Sequence, residues 1–328
     1  MTTSNEVVEI ITIVVSVISM LFSLSVVVIL ILHYRTLVSG KLLIHNVLII
    51  AICDTLVSFS YSLGYYIKSQ HDICVLQGFL TINAERASWI WTDILMMNIY
   101  GLIVYQDYII KNKVILHMTI WTIITVLAFV PLADGVVYGT NSTTRPIRCA
   151  SAFSSSDTVT LENAARDWGL LQNYMCLCSL VLIVVITTRI IIFIYYPSQH
   201  SDNVVNSQSD KIRYLKTLLL YPVAMFVCWF PSQFYYICFA PPEGDNTDES
   251  FFIGNLLHVI CPLYGLFLSL IYYTETDKAR TLWINIFVNL KLIGNSKEVE
   301  LRESSQTINS DIHICDVVEN TLINRILE

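Results

Sequence analysis

Three ionisable side chains fall where a bilayer would exclude water. Glu85, Arg86 and Asp93 lie inside the apolar run from Cys74 to Tyr108, CVLQGFLTINAERASWIWTDILMMNIYGLIVYQDY. That run is longer than the ~20 apolar residues needed to cross a bilayer. A charge facing lipid at the bilayer centre costs ~2.5–3.5 kcal/mol or more. The helix must therefore sit inside a bundle. Counted at helical spacing, Arg86, Trp89, Asp93, Met97 and Tyr100 line one side. Glu85 starts a neighbouring stripe with Trp89, Thr92 and Met96. Arg86 lies about 18 Å below Cys74 and Asp93 about 28 Å below. A guanidinium in the outer half can receive an anionic or carbonyl-bearing ligand. A carboxylate past the midplane can act as a buried polar switch. The competing reading is that these charges only satisfy one another and their neighbours. Residues one apart do not face each other on a helix, so Glu85 is an awkward partner for Arg86.

Other runs supply residues of matching depth. Asp54 stands midway along 42–67, where it can bind a proton or a cation or bond across helices. The run 213–240 carries Pro222 and Pro231, each of which removes an amide donor and kinks a helix, with Trp229 beside the second. Tyr235 lies one turn outward of Pro231, and His258 about two turns below the start of the last run. Pro262 implies another bend there. These positions suggest an outward-opening ligand pocket of Arg86, Trp89, Tyr235 and His258, with Glu85 at its margin. Asp54, Asp93, Trp229 and Pro231 form the expected switch below it.

The elements that must position these residues are membrane helices. The chain of 328 residues is 55% hydrophobic and only 14% charged, with mean hydropathy +0.61. Soluble domains carry nearer ~25% charged residues. Apolar runs at 10–32, 42–67, 74–110, 114–137, 168–196, 213–240 and 251–273 give an all-α, seven-helix membrane bundle. The expected divisions are a short outer N-terminus (1–9), the helix bundle (10–273), an amphipathic surface helix (274–291) and a disordered cytoplasmic tail (292–328). In the surface helix, Leu282, Trp283, Ile286, Phe287 and Leu290 make the apolar stripe. Arg35, Lys41, Lys111, Lys113, Lys211 and Arg213 all fall on one side of the bundle. The positive-inside rule makes that side cytoplasmic and the N-terminus external. The loop 138–167 is then external, with the glycosylation triplet Asn141-Ser142-Thr143 and Cys149. Cys74, at the outer mouth of the third run, is placed to bridge to Cys149.

Several functions are excluded or disfavoured. No basic stripe suits a nucleic acid, and the net charge of −7 is spread over loops and tail. A zinc-dependent intramembrane hydrolase needs three clustered ligands, and the His at membrane depth number only His45 and His258 on this reading. No cofactor and no metal site are expected. A transporter usually shows internal repeats and paired broken helices, and no repeat is visible. The last run has no Lys, which excludes a retinal Schiff base there.

Cys74, Trp89-Ile90-Trp91-Thr92 and Ile99-Tyr100-Gly101-Leu102-Ile103-Val104 resemble span three of the slime-mould cyclic AMP receptors and cAMP-receptor-like proteins. Val227-Cys228-Trp229 also resembles that family, and Leu257-His258 with Ser269-Leu270-Ile271-Tyr272 does so more loosely. The resemblance covers about residues 10–290, with its strong part in span three. Cys228-Trp229-Phe230-Pro231 is similar to the span-six Cys-Trp-x-Pro of rhodopsin-like receptors, and Trp121, Pro131 and Asp54 fit them loosely. Asp-Arg-Tyr is missing from the inner end of span three, and Asn-Pro-x-x-Tyr from span seven. The resemblance implies a plasma-membrane G-protein-coupled receptor. Its partners would be an extracellular ligand and a heterotrimeric G protein, the latter met at Lys111, Lys113, Lys211 and Arg213. It leaves the ligand's identity open.

These placements make one prediction about the outer face. An N-terminal tag should be reached by antibody on intact cells, and a C-terminal tag only after permeabilisation. Peptide mapping of the same surface protein without reduction should recover Cys74 joined to Cys149. Reversed tag access or two free thiols would overturn the arrangement.

Overall fold

The computed structural model describes residues 2–32, 42–63, 71–105, 112–133, 136–139, 150–153, 159–195, 205–239, 253–254 and 256–275. Within them lie seven long helices: α1 (Thr2–Leu32), α2 (Leu42–Ser62), α3 (His71–Val104), α4 (Lys113–Ala133), α5 (Val159–Tyr195), α6 (Val205–Phe239) and α7 (Leu263–Glu275). One antiparallel hairpin stands between α4 and α5, with β1 (Val136–Gly139) paired to β2 (Ala150–Phe153). Lys111, Asn141, Cys149 and the expected surface helix beyond Glu275 lie outside the described residues. So do the side chains of Lys113, Lys211 and Arg213, whose backbones are helical.

Among the described residues, four helices are long and apolar enough to cross a membrane: Val7–Leu32, Leu43–Ser62, Leu170–Phe193 and Leu256–Thr274. Val114–Phe129 is a shorter apolar stretch. α3 carries its polar groups inward instead. It packs against α2, α4, α5, α6 and both strands. Glu85, Arg86, Trp89, Trp91, Thr92 and Asn98 on it are all buried. α7 closes the bundle by packing on α1, α2 and α6. The resulting fold is a seven-helix membrane bundle with α3 at its centre.

Four helices begin earlier than the apolar runs suggested: α1 at Thr2 rather than 10, within the expected N-terminal segment 1–9, α3 at His71 rather than 74, α5 at Val159 rather than 168, and α6 at Val205 rather than 213. The added residues are mostly polar but hold no Pro or Gly. Outside the bilayer, water satisfies their side chains and the helix has no reason to stop. α6 continues as one helix through Pro222 and Pro231. α4 starts on an Asn cap: the Asn112 side-chain oxygen accepts the Ile115 amide at 3.1 Å.

The bend expected at Pro262 is present. Hydrogen bonds from Val259 to Leu256, Ile260 to Leu257 and Cys261 to His258 span three residues, not four. Pro262 has no N–H to give the His258 carbonyl, so the chain tightens and the Cys261 amide serves it. Irregular backbone at this depth must be satisfied inside the protein. Ser19 of α1 does so by donating to the Pro262 carbonyl. Hydroxyls elsewhere bond their own helix four residues back, as Thr12, Ser23, Thr55 and Thr92 do.

Gly265 permits this closure. A Cβ there would lie 2.9 Å from Ser19 Oγ and 3.3 Å from Asp54 Cβ. Ser19 cannot readily yield, because its hydroxyl is committed to Pro262. Gly265→Ala should destabilise the bundle by ~1–3 kcal/mol, the usual cost of overpacking. The same change in a Ser19→Gly background should cost clearly less. Thermal midpoints of the purified proteins measure both, and equal losses would refute this packing account.

Candidate functional site

α3 distributes its polar side chains to different neighbours. Glu85 Oε1 accepts from the Tyr61 hydroxyl of α2 at 3.1 Å, and Oε2 from Gln172 Nε2 of α5 at 3.0 Å. Glu85 is 1% exposed and so ties three helices together. Arg86 turns to α4, where its guanidinium donates to the Leu127 carbonyl at 2.8 Å. That carbonyl is four residues before Pro131, which has no amide to offer it. Arg86 thus supplies the donor that Pro131 removes. Asp93 meets α5, accepting from Ser179 at 2.8 Å. Glu85, Arg86 and Asp93 thus each anchor α3 to neighbouring helices.

Trp89 takes another direction. Its ring stands edge-on to Trp229 of α6, with centroids 5.3 Å apart. The expected common face of Arg86 and Trp89 is thus divided, one facing α4 and the other α6. The i,i+3 pair sits some 60° apart around the helix, enough to reach different neighbours. Three residues after Trp229, Ser232 shares a hydrogen bond with His258 Nδ1 at 3.0 Å. Cys261 Sγ stands 3.6 Å from the same nitrogen. Tyr235, one turn outward from Pro231, is half-buried. Trp89, Trp229, Ser232 and His258 therefore form one assembly linking α3, α6 and the segment that leads into α7. Ser232 was absent from the sequence reading. A hydroxyl three residues beyond Trp229 on the same helical face was the available signal.

A second polar assembly surrounds Asp54. Its Oδ1 accepts from Ser88 of α3 at 2.8 Å. Its Oδ2 is buried without a hydrogen-bond partner among the described residues. Ser58 donates to Ser19 at 3.3 Å, and Thr55 to Ser23 at 3.1 Å. Thr92 and the Tyr264 hydroxyl join α3 to α7 at 3.2 Å. Ser19 and Ser88 were not expected as partners. Their register across helices is fixed only by packing.

Cys74 is buried and disulfide-bonded. Its partner cysteine lies outside the described residues. Both strands of the hairpin pack on α3, and β2 begins one residue after Cys149. The sequence reading also undercounted imidazoles at membrane depth, since His117 stands in α4. No group of three or more metal-ligating side chains occurs among the described residues.

No family model matches the chain, and no curated protein matches it either. Among solved structures, the chain is similar to squid rhodopsin, with a TM-score of 0.63 and 13% sequence identity. The match covers 92% of this chain and 90% of that one. At this identity the likeness is one of fold: the bundle is rhodopsin-like.

The Arg86–Pro131 account has a direct test. Pro131→Ala restores an amide that can bond the Leu127 carbonyl within α4. Arg86→Met should then cost less stability in the Pro131→Ala protein than in the parent. A coupling of ~1–2 kcal/mol is expected for a charged hydrogen bond. A coupling of zero in thermal or denaturant unfolding would show that Arg86 does not serve this carbonyl.

Proposed function

We propose that this chain is a plasma-membrane G-protein-coupled receptor of the cAMP-receptor-like class. It turns the binding of an extracellular ligand into activation of a heterotrimeric G protein by movement of α6. The observation that carries this reading is the Trp89–Trp229 contact beside the Ser232–His258 bond. Two rings and one hydrogen bond join α3, α6 and the segment leading into α7 at the helix that holds Pro231. A ligand that displaces either ring changes the energy of α6 relative to α3. The rhodopsin-like fold is consistent with such a device.

The ligand site in this reading opens outward and is lined by Trp89, Tyr235 and His258. Arg86 and Glu85 brace it from behind, through Leu127 and through Tyr61 and Gln172. The ligand combines an aromatic or apolar body with hydrogen-bonding groups, as the mix of indole, phenol and imidazole requires. Asp54 and Asp93 are the switch residues beneath, with Trp229 and Pro231 as the moving part. The N-terminus and a glycosylated Asn141 face outward, and a Cys74–Cys149 bridge ties the hairpin over α3. Lys111, Lys113, Lys211 and Arg213 meet the G protein at the inner face, and 274–291 lies along the membrane.

Guanine-nucleotide exchange by a G protein reconstituted with the receptor, screened against small-molecule candidates, tests the proposal. A ligand that stimulates exchange should lose tenfold or more in potency with Trp89→Ala or His258→Gln. Reversing the charges of Lys211 and Arg213 should lower exchange while ligand affinity without G protein stays within threefold. Exchange that never exceeds receptor-free vesicles, with or without any candidate, would count against the receptor reading. Unchanged potency in both variants would sink the pocket alone.

A further inference from the structure

The burial of α3 is broken along one stripe. From Thr81 to Gly101 every residue is buried except Asn83, Ile90, Asp93, Met97 and Tyr100, which are half-buried. Spacings of seven, three, four and three put these five on one side of the helix. Two hydrogen bonds show where that side looks. Arg86, in the middle of the stripe, reaches α4 through the Leu127 carbonyl, and Asp93 reaches α5 through Ser179. The stripe therefore faces the seam between α4 and α5. Those two helices each pack on α3 but hardly on one another along the described residues. β1 touches both just beyond the end of α4, and the buried Arg86 closes the seam beneath it. Past Arg86 the seam opens to the bilayer with a carboxylate on its floor.

Ser179 occupies Asp93 Oδ1 at 2.8 Å, and Oδ2 has no hydrogen-bond partner among the described residues. A carboxylate at membrane depth is costly unless a counter-charge meets it. Its depth shows from which side that charge can come. Trp91, two positions before Asp93, meets the His117 ring at 4.8 Å. His117 stands four residues into α4, about 6 Å from its start. Asp93 thus lies near the level at which α4 enters the bilayer. Tyr100 and Tyr105, edge to face with centroids 5.9 Å apart, stand about two turns further on. Phenol rings favour the membrane–water boundary, so they mark the mouth of the seam. α4 begins at the side that carries Lys111 and Lys113, cytoplasmic under the orientation proposed above. The head group of a lipid in that leaflet can reach Asp93, whereas one in the opposite leaflet meets the hairpin and Arg86.

We infer that the α4–α5 seam binds a single-chain amphiphile of the bilayer through its protonated amine. The ammonium lies against Asp93 Oδ2, and the chain runs along Ile90 towards Arg86. An ammonium brings three donors on a compact charge, which suits one open carboxylate oxygen. Met97, an unbranched and adaptable side chain, can settle around the methylenes. A phospholipid sets a phosphate beside its amine, and a fatty acid carries only negative charge; Asp93 repels both. Such an occupant sits on one of the switch residues of the receptor reading, but its binding needs only the membrane bundle.

A photoreactive hexadecylamine, with a diazirine near the middle of its chain, tests the site on the full-length protein in phosphatidylcholine vesicles. Cross-links mapped by peptide mass spectrometry should fall on α4 and α5, and excess hexadecylamine should suppress them. Hexadecanol and palmitate, with the same chain length, should compete at least tenfold less well. Asp93→Asn keeps an acceptor for Ser179 but removes the charge, and should weaken labelling tenfold or more. Asp93→Glu should retain it. Met97→Trp fills the seam while leaving the carboxylate, and should also lose labelling. Asp72→Asn, at the exposed first turn of α3, should leave it unchanged. Labelling spread evenly over the lipid-facing helices, equal competition by the alcohol, or full labelling of the Asp93→Asn protein would each overturn the assignment. No readout involves a G protein, so failure of the receptor reading and failure of the seam site remain distinguishable.

Discussion

The bilayer offers no hydrogen bonds, and this single constraint organises the structure. The polar side chains that α3 carries into it draw their partners from the helices around it. Glu85 is met by Tyr61 and Gln172, Arg86 by the Leu127 carbonyl, Asp93 by Ser179, and Thr92 by Tyr264. These partners belong to α2, α5, α4, α5 and α7. A helix with such demands can only stand in the middle, and the others take their places by answering it.

Prolines create the complementary problem. Each one removes a backbone donor and leaves a carbonyl to be served elsewhere. Pro131 leaves Leu127 to Arg86, and Pro262 is accommodated by a tighter turn whose carbonyl is met by Ser19. Charged and hydroxylic side chains that look like functional groups in isolation thus also mend the backbone. The two roles are compatible: a bond that fixes Arg86 against α4 also fixes the wall on which Trp89 stands. In the receptor reading proposed above, the residues that move are those joined by shape and a weak polar bond. The Trp89–Trp229 contact with Ser232 and His258 has that character. The double-acceptor clamp on Glu85 does not.

Packing at small residues completes the arrangement. Gly265 brings α7 against Ser19 and Asp54, so the broken start of the seventh span, the polar face of α1 and the carboxylate of α2 meet at one place. Ser88 then reaches Asp54 from α3. Closeness of backbones, more than the chemistry of any one residue, makes this a shared polar centre. Small side chains at helix contacts let membrane helices approach in this way.

The amino-acid sequence by itself determined that the chain is a seven-helix membrane bundle, that α3 is its centre, and that the seventh span bends at Pro262. Hydrophobic runs, embedded charges and proline are local properties, and the bilayer translates them directly into spans, interior helices and breaks. The direction each interior side chain takes was decided only by the tertiary structure. Glu85 and Arg86 are adjacent in sequence yet serve opposite neighbours, and Arg86 and Trp89 part company although helical counting puts them together. Ser19, Ser88, Gln172, Ser179 and Ser232 became partners through helix register, which hydropathy does not encode. His45 and His117 are 72 positions apart in the chain. Nothing in their local sequence announces that two helices, each packed on α3, bring their rings into contact.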